Sequence, residues 1–323
     1  MNIVITGGSG FVGKILIDYL LKKHSDIKII NLDLVHSNND RVIDFVVDIR
    51  NPIEDAPIKS SESYHLIHLA AQIFNENVPS RSYRKNFFFE HNVHGTRNVL
   101  NLFKDNLQSI SFLSTDMVYG SPESFPIRED HSLKPNGEYG LSKIEAEKLI
   151  ELKSVEVGCN YYIFRPRLIS GPGRYGLLKT LYYFISKGLP VPLIGNGTNR
   201  YQFISVFDCV KFLAASINLE ASSGIYNIGS QNPPTIYELL TKLIDSADSS
   251  SFLIKTPPRV TKFILNFLDS VGFTILFPEQ FIIADQDYLL DINKLEKEFK
   301  MLPEYSDIDM IISGYKSYHA KYI

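Results

Sequence analysis

The segment Thr6-Gly7-Gly8-Ser9-Gly10-Phe11-Val12-Gly13 constrains this chain more than any other. It stands directly after a short apolar run, Asn2 to Thr6, and opens a helical pattern from Gly13 to Lys22. Glycines at this spacing, between a strand and a helix, dictate a turn that side chains would obstruct. One makes the tight turn, one lets backbone reach a pyrophosphate, and Gly13 lets helix pack closely on sheet. The helix N-terminus behind the loop offers free amides and a partial positive charge to phosphate oxygens.

The rest of the first half repeats this strand-then-helix rhythm. Strands are expected at Lys28 to Leu32, Val42 to Val47, Tyr64 to Leu69, Ser109 to Ser114 and Asn160 to Phe164, with helices from about Phe87 to Lys104 and Tyr139 to Lys153. Continuous apolar strands separated by helices predict a parallel sheet covered on both faces, hence an α/β Rossmann doubly wound sheet with its ligand at the strands' carboxyl ends. After Gly171-Pro172-Gly173 the alternation stops until Tyr201 to Val206 and Ile225 to Ile228, which are expected to rejoin the large sheet. The predicted division is a dinucleotide-binding domain over 1–170, rejoined by about 200–230. A smaller C-terminal α/β substrate lobe takes 171–199 and 231–323. Helices are expected there near Ile236 to Asp245 and Val260 to Asp269.

Asp33 ends the second strand, twenty positions after Gly13. A carboxylate there accepts from both ribose hydroxyls of NAD and repels a 2′-phosphate, and no arginine follows in Leu34-Val35-His36. NAD is therefore expected over NADP. Asp48 and Ile49, after the third strand, are candidates for the adenine edge, although Asp48 reads equally well as a solvated strand-end residue.

Tyr139-Gly140-Leu141-Ser142-Lys143 sets a phenol and an ammonium four residues apart on one helix face. A free phenol titrates near 10, too high for a base at neutral pH, and a nearby ammonium is expected to pull it down. Tyr139 can then exchange a proton with an alcohol or ketone oxygen, while Ser114 or Thr115 provides a hydroxyl to hold that oxygen.

The 323 residues carry a net charge of −3 with no run of like charges, which argues against a nucleic-acid groove. Cys159 and Cys209 lie far apart in apolar stretches and read as buried thiols, so neither a disulfide framework nor a metal site is expected. No basic leader precedes the first strand, and the most apolar tract, Phe263 to Phe277, is interrupted by Asn266, Asp269, Ser270 and Gly272. A soluble cytoplasmic enzyme without firm membrane association is the expectation. The Phe252 to Phe277 region has two readings: an amphipathic helix capping the second lobe, or an apolar wall or membrane-surface helix.

Taken together, TGGSGFVG at 6–13, Asp33, HLAA at 68–71, NVHGT at 92–96, LSTDMVYG at 113–120, YGLSK at 139–143 and RPRLISGPG at 165–173 resemble the extended short-chain dehydrogenase/reductase family, the NAD-dependent epimerases and dehydratases. The likeness covers roughly the first 175 residues, with weaker agreement at Val206-Phe207-Asp208 and Asp291 to Lys294. It implies Tyr139 as acid/base, Lys143 as the ribose-binding, pKa-lowering lysine and Thr115 as the substrate-oxygen hydroxyl. It implies Gly7, Gly10 and Gly13, with Phe11 and Val12, as the pyrophosphate loop. Leu69, Ala70 and Ala71 would run along the cofactor, and Pro166 would stand beside the nicotinamide. His68 reads as a packed strand residue and Asn92 as a backbone brace. A homodimer, paired through the helices beginning near Phe87 and Tyr139, is expected by resemblance alone.

The chain also departs from the pattern. Sugar 4,6-dehydratases of the family carry Asp-Glu after the catalytic threonine, where this chain has Asp116-Met117; methionine cannot abstract a proton. Asp116 stays open between a substrate-facing acid and a loop carboxylate bonded to its own backbone. Leu168 and Ser170 replace the Asn and Tyr common in nucleotide-sugar members. Arg174, Arg200 and Arg259 are the candidate diphosphate clamps, with Arg200 favoured by the loop Gly195 to Arg200, and each reads equally well as a surface charge. The leading expectation is a nucleotide-sugar 4-epimerase with a small-molecule substrate; the alternative is an NAD-dependent dehydrogenase or reductase of a non-nucleotide, hydrophobic alcohol or ketone. A cofactor-binding regulator would have no need of Thr115, Tyr139 and Lys143 together.

Overall fold

The computed structural model describes every residue except 75, 76, 177 and 219. β1 (Asn2–Thr6), β2 (Lys28–Asp33), β3 (Val42–Val46), β4 (Tyr64–His68), β5 (Leu107–Leu113) and β6 (Asn160–Pro166) are strands of one sheet, and α1 (Phe11–Lys23) follows β1. α2 (Arg84–Phe88) and α3 (Gly95–Leu100) are joined by a π-helical stretch over Phe89–His94, and α4 (Glu138–Val157) precedes β6. β7 (Leu168–Ser170), α5 (Leu178–Ser186), β8 (Val191–Ile194), β9 (Phe203–Ser205), α6 (Val206–Ala215) and β10 (Gly224–Ile228) come next. The chain ends with α7 (Ile236–Ser246), β11 (Leu253–Thr256), α8 (Pro258–Ser270), α9 (Pro278–Phe281), α10 (Asn293–Phe299) and α11 (Asp307–Tyr322).

The seven-stranded sheet has the order β10-β6-β5-β4-β1-β2-β3, and every pairing in it is parallel. Its inner strands are buried on both faces: Ile3, Val4 and Ile5 of β1 and Leu66 and Ile67 of β4 have no solvent exposure. Ile3 and Ile5 join Leu16, Ile17 and Leu20 of α1 in one core cluster, whereas Val4 joins Ile110, Phe112, Ala146 and Ile150 in another. These are the two faces that period-2 alternation assigns to neighbouring residues of a strand. The strand order reverses between β1 and β4, so the segments leaving those strands part and leave a crevice.

The return to the large sheet is made by β10 alone. It takes the free edge of β6, in register from Gly224↔Tyr162 to Ile228↔Pro166. β9, expected to rejoin as well, instead pairs with β7 in a separate two-stranded sheet, Leu168↔Phe203 to Ser170↔Ser205. With the edge of β6 occupied, β9 pairs with the short strand that runs on from β6 past Pro166. The C-terminal lobe holds a second small sheet, β11 with β8. Its core joins Tyr182 and Ile185 of α5, Leu239 and Leu243 of α7, and Ile311 and Tyr315 of α11. Phe299 of α10 reaches back onto Phe164 and Tyr226 of the large sheet, at ring-centroid distances of 5.7 and 5.1 Å.

A buried ion pair ties α4 to β6. Arg165 Nε and Nη2 donate to the Glu147 carboxylate at 3.0 and 2.6 Å, and Nη1 donates to the Tyr119 hydroxyl at 2.9 Å. The Ser114 hydroxyl also donates to Glu147. Removing one partner strands the other charge in the core, so Glu147→Ala is expected to cost about 3–5 kcal/mol. Urea unfolding checks this, and a loss near zero would show that Arg165 finds water instead.

Candidate active site

The crevice at the strand-order reversal is a cleft of about 700 Å³. At one end the glycine loop leaves β1. Gly7 adopts φ +71°, and a Cβ there would come within 2.8 Å of Ala70 N; a Cβ on Gly13 would come within 2.3 Å of the Gly7 carbonyl oxygen. Loop, helix and the Leu69–Ala71 segment therefore meet with no room for a side chain. Thr6 Oγ1 fixes the approach by accepting from Ala70 N at 3.1 Å. Gly7, Gly10, Phe11, Val12 and Gly13 line the cleft at the N-terminus of the 13-residue helix α1. This close-packed cradle fits a dinucleotide diphosphate.

Asp33 faces the same cleft, its carboxylate accepting from Ser9 N at 2.9 Å and Leu34 N at 2.6 Å. One strand further out, Asp48 and Ile49 line the cleft, with Asp48 gripped by Arg50, whose Nη2 donates at 2.5 Å and Nε at 2.9 Å. That guanidinium holds the Asp48 carboxyl below the usual carboxylate range. Ala70, Ala71 and Pro166 form the wall between the two ends.

Thr115, Tyr139 and Lys143 line the other end of the cleft. Thr115 stands in extended backbone just beyond β5, and its Oγ1 accepts from Met117 N at 3.3 Å. Tyr139 lies in the first turn of α4, and Lys143 one turn later beneath it. The Lys143 Nζ donates to the Leu113 carbonyl at 2.7 Å and sits 4.0 Å from the centre of the Phe112 ring. Burial, only partly countered by Glu147, pushes its pKa down to about 7.

The expected tuning of Tyr139 by Lys143 is not what the arrangement delivers. Burial raises the phenol above its ordinary value, and the Glu279 carboxylate raises it further. The groups that pull it down are the Arg174 guanidinium and a hydrogen bond with Thr115. The physical reason is that the Lys143 ammonium is spent on the Leu113 carbonyl and the Phe112 face, and is itself destabilised by burial. Tyr139 is also boxed in by rings, with Phe74 at 5.0 Å and Phe88 at 5.5 Å. Glu279 arrives from α9 to accept from Tyr139 N and Gly140 N, both at 3.2 Å, and caps the catalytic helix. Burial pushes its own pKa up to about 7.

Two expected substrate contacts do not line the cleft. Asp116 is fully buried and its Oδ2 accepts from Arg167 Nη1 at 2.6 Å, so it belongs to an internal ion pair and not to the cleft wall. Arg200 is also absent from the lining; its Nη2 reaches Asp287 at 3.3 Å, and Gly195 and Asn196 of the loop before it line a separate pocket with Lys255 and Asp285. Of the three candidate clamps only Arg174 lines the cleft, 5.5 Å from the centre of the Phe11 ring. Arg167, unforeseen, lines it too, sandwiched between Tyr201 and Tyr288 at 4.0 and 4.1 Å. Its Nε and Nη2 are buried without a hydrogen-bond partner among the described residues. Phe74, Tyr175 and Gln280 also line the cleft, and nothing local in the sequence marks them.

His68 and Asn92 take structural positions. The His68 ring bonds Thr6 and Thr96 at 2.6 and 2.8 Å and is held neutral by burial, its pKa about 3. Asn92 bonds the backbone of Gln72 and the Ser142 hydroxyl, bracing α4 against the segment after β4. Among the described residues no group of His, Cys, Asp and Glu is placed to hold a metal, and no helix is long and apolar enough to cross a membrane.

The NAD dependent epimerase/dehydratase family matches the chain over residues 3–229. A Methanocaldococcus jannaschii protein provisionally named a UDP-glucose 4-epimerase is 31% identical over 247 residues, covering 73% of this chain and 79% of that protein. A dTDP-glucose 4,6-dehydratase of Streptomyces griseus is 28% identical over 260 residues, 76% of this chain and 78% of the relative. The crystal structure of UDP-glucuronic acid 4-epimerase from Bacillus cereus, in complex with UDP-glucuronic acid and NAD, superposes with a TM-score of 0.78 at 20% identity, covering all of both chains.

Two outcomes are expected from this geometry. If Asp33 accepts from the ribose as its position expects, replacing it with Ala loses a charge-assisted hydrogen bond and should weaken NAD by about 1.5–3 kcal/mol, roughly 10- to 100-fold. Calorimetric titration measures it, and unchanged affinity would remove Asp33 from the site. The depressed pKa of Lys143 also has a signature in stability. Between about pH 7 and its ordinary 10.5 the unfolded chain holds a proton there that the folded chain releases, so this group's contribution to stability rises with pH. Denaturation of wild type and Lys143→Met across that window should give a difference that climbs by about 1.4 kcal/mol per pH unit. A flat or falling difference would mean the ammonium stays charged.

Proposed function

The chain belongs to the NAD dependent epimerase/dehydratase family, and from that premise we propose that it is a nucleotide-sugar 4-epimerase. The observation that carries this reading is the distribution of acids around the cleft. Among the described residues the carboxylates lining it are Asp33 and Asp48, at the ends of β2 and after β3. β2 and β3 lie three and four strands from β5, at about 4.8 Å per strand, so both acids are remote from Thr115. Met117 lines the catalytic end, and Asp116 is neutralised by Arg167. Eliminating water from a sugar calls for an acid or base beside the reacting carbons in addition to the one at the carbinol. Tyr139 with Thr115 supplies the latter; the acids nearest them, Asp116 and Glu279, are tied to Arg167 and to the Tyr139 and Gly140 amides and do not line the cleft.

NAD is the family's cofactor, and when bound it supplies reversible oxidation of the carbinol carbon. Gly7, Gly10, Phe11, Val12 and Gly13 would hold its diphosphate, Asp33 a ribose, Asp48 and Ile49 the adenine edge. Leu69, Ala70, Ala71 and Pro166 would line the nicotinamide, with Lys143 within reach of its ribose. The Thr115 hydroxyl holds the substrate oxygen, and Tyr139 takes the proton from that oxygen and later returns it. Arg174 has two tasks in this reading: its charge favours the phenolate, and its unspent donors suit the diphosphate of a sugar nucleotide. The relatives named above carry UDP- and dTDP-sugar activities, which supports a sugar nucleotide as substrate. Exposed Leu152 and Val155 on α4 support a homodimer formed along that helix. The two free thiols, Cys159 and Cys209, suit a reducing cytoplasm.

Purified protein should release NAD on denaturation and interconvert epimers of a uridine, thymidine, guanosine or cytidine diphosphate sugar without added cofactor. Tyr139→Phe should retain the fold and NAD and lose about 10²–10⁴-fold in kcat/KM. Binding of none of these sugar nucleotides sinks the proposal. Steady NADH turnover on hydrophobic alcohols or ketones would instead select the dehydrogenase reading, which the aromatic box of Phe74 and Phe88 around Tyr139 favours.

A further inference from the structure

We propose that the outer face of α8 and the residues after it seat this protein on the surface of an anionic lipid bilayer. The helix is amphipathic in the inverted sense. Its inward side is fixed by Leu265 and by Asp269, both buried. Asp269 is clamped by Arg84, with Nη1 donating at 3.0 Å and Nη2 at 2.5 Å, and accepts from the Thr274 hydroxyl at 2.7 Å. Arg84 in turn lies 4.9 Å from the centre of the Phe277 ring.

The stripe facing outward is apolar. Val260, Phe263, Ile264, Phe267 and Val271 recur at helical spacing on one side and are all exposed, and Phe273 and Ile275 continue the patch beyond the helix end. Phe263 is 71% and Phe273 72% exposed. A run of seven large apolar side chains held in water by a buried ion pair marks a surface with something to bury against.

Charge selects the occupant. Between residues 257 and 278 the only acidic residue is Asp269, which is buried and paired, while Arg259 is exposed on the flank of the stripe. Lys262 is paired with Asp285, but exposed Arg81 stands close enough to lower the Asp269 carboxyl and adds a second cation beside exposed Tyr83. An apolar stripe with cationic flanks, a rim tyrosine and no exposed carboxylate matches the acyl boundary and negative headgroups of a bilayer. A two-fold contact between copies would set these cations against themselves with no carboxylate of the segment to neutralise them. The patch also adjoins the cleft: Ile275 is five residues from the cleft-lining Gln280, a reach of at most about 18 Å.

The test is flotation of the full chain with vesicles of phosphatidylcholine containing phosphatidylglycerol and with phosphatidylcholine alone. Binding is expected to the anionic vesicles, weaker on the neutral ones and reduced by salt. A Phe263→Ser, Phe267→Ser, Phe273→Ser variant should bind on the order of tenfold or more weakly, and Arg259→Glu should lose binding selectively on anionic vesicles. Both variants should keep the wild-type thermal transition and wild-type turnover of a soluble sugar nucleotide, so failure of docking is distinguishable from failure of the catalytic reading. Wild-type protein that stays unbound with anionic vesicles overturns the proposal. So does a triple variant that floats as well as wild type, or one whose only change in light scattering is from dimer to monomer.

Discussion

At the strand-order reversal three stretches of backbone come so close that a single methyl group would collide: the turn after β1, the start of α1 and the segment after β4. The hydrogen bond from Ala70 N to Thr6 Oγ1 and the bare Cα atoms of Gly7 and Gly13 make that approach possible. Everything functional is placed relative to it. The sheet carries Asp33 outward on β2 and Thr115 outward on β5, on opposite sides of the closed point. The cleft thus has unlike chemistry on its two sides, a carboxylate on one and a hydroxyl with a phenol and an amine on the other.

The catalytic end shows how burial competes with charge. Sequence spacing alone puts an ammonium one helical turn from the phenol, and an ammonium in water would lower the phenol's pKa. In the folded chain the same desolvation acts on both groups. It raises Tyr139 and lowers Lys143, so each is driven toward its neutral form. Glu279 adds to this, since its carboxylate caps the helix bearing Tyr139 and raises the phenol as it does so. Arg174 is the counterweight, because a guanidinium remains charged under burial where an ammonium does not. The phenol's environment is therefore set by three segments distant in sequence: the residues after Gly173, α9, and the turn after β5 that carries Thr115 and Asp116.

That distance in sequence decides what could be foreseen. The parallel sheet, the glycine turn, Asp33 and the Thr115, Tyr139 and Lys143 set were legible because each rests on local periodicity or on short motifs with a steric meaning. Tyr201 to Val206 reads as a strand and is one in part, but the edge it joins is settled by tertiary pairing: β10 lies on β6, and β9 pairs with β7. The fate of Asp116 depends on Arg167, fifty-one residues away. Arg200 was drawn into the site by a loop rich in glycine and asparagine, yet that loop lines a separate pocket and the arginine meets Asp287. Phe74 and Gln280 reach the cleft only through tertiary packing, with Phe277 against Phe74 at 4.6 Å.

The same packing joins the surface to the chemistry. Phe277 touches Phe74, Phe74 touches Tyr139, and Arg84 holds both Phe277 and the inner face of α8. A buried charge pair is a weak source of net stability, because desolvating both ions offsets most of their attraction. Arg84 and Asp269 therefore contribute chiefly orientation: they fix which side of α8 faces inward, and so which side faces water. A helix held only by its apolar stripe would roll to bury Phe263 and Phe267; one pinned through Asp269 cannot roll without breaking the pair. The exposed stripe and the aromatic wall around Tyr139 are thus joined by one continuous chain of contacts, from α8 through Asp269, Arg84, Phe277 and Phe74 to Tyr139.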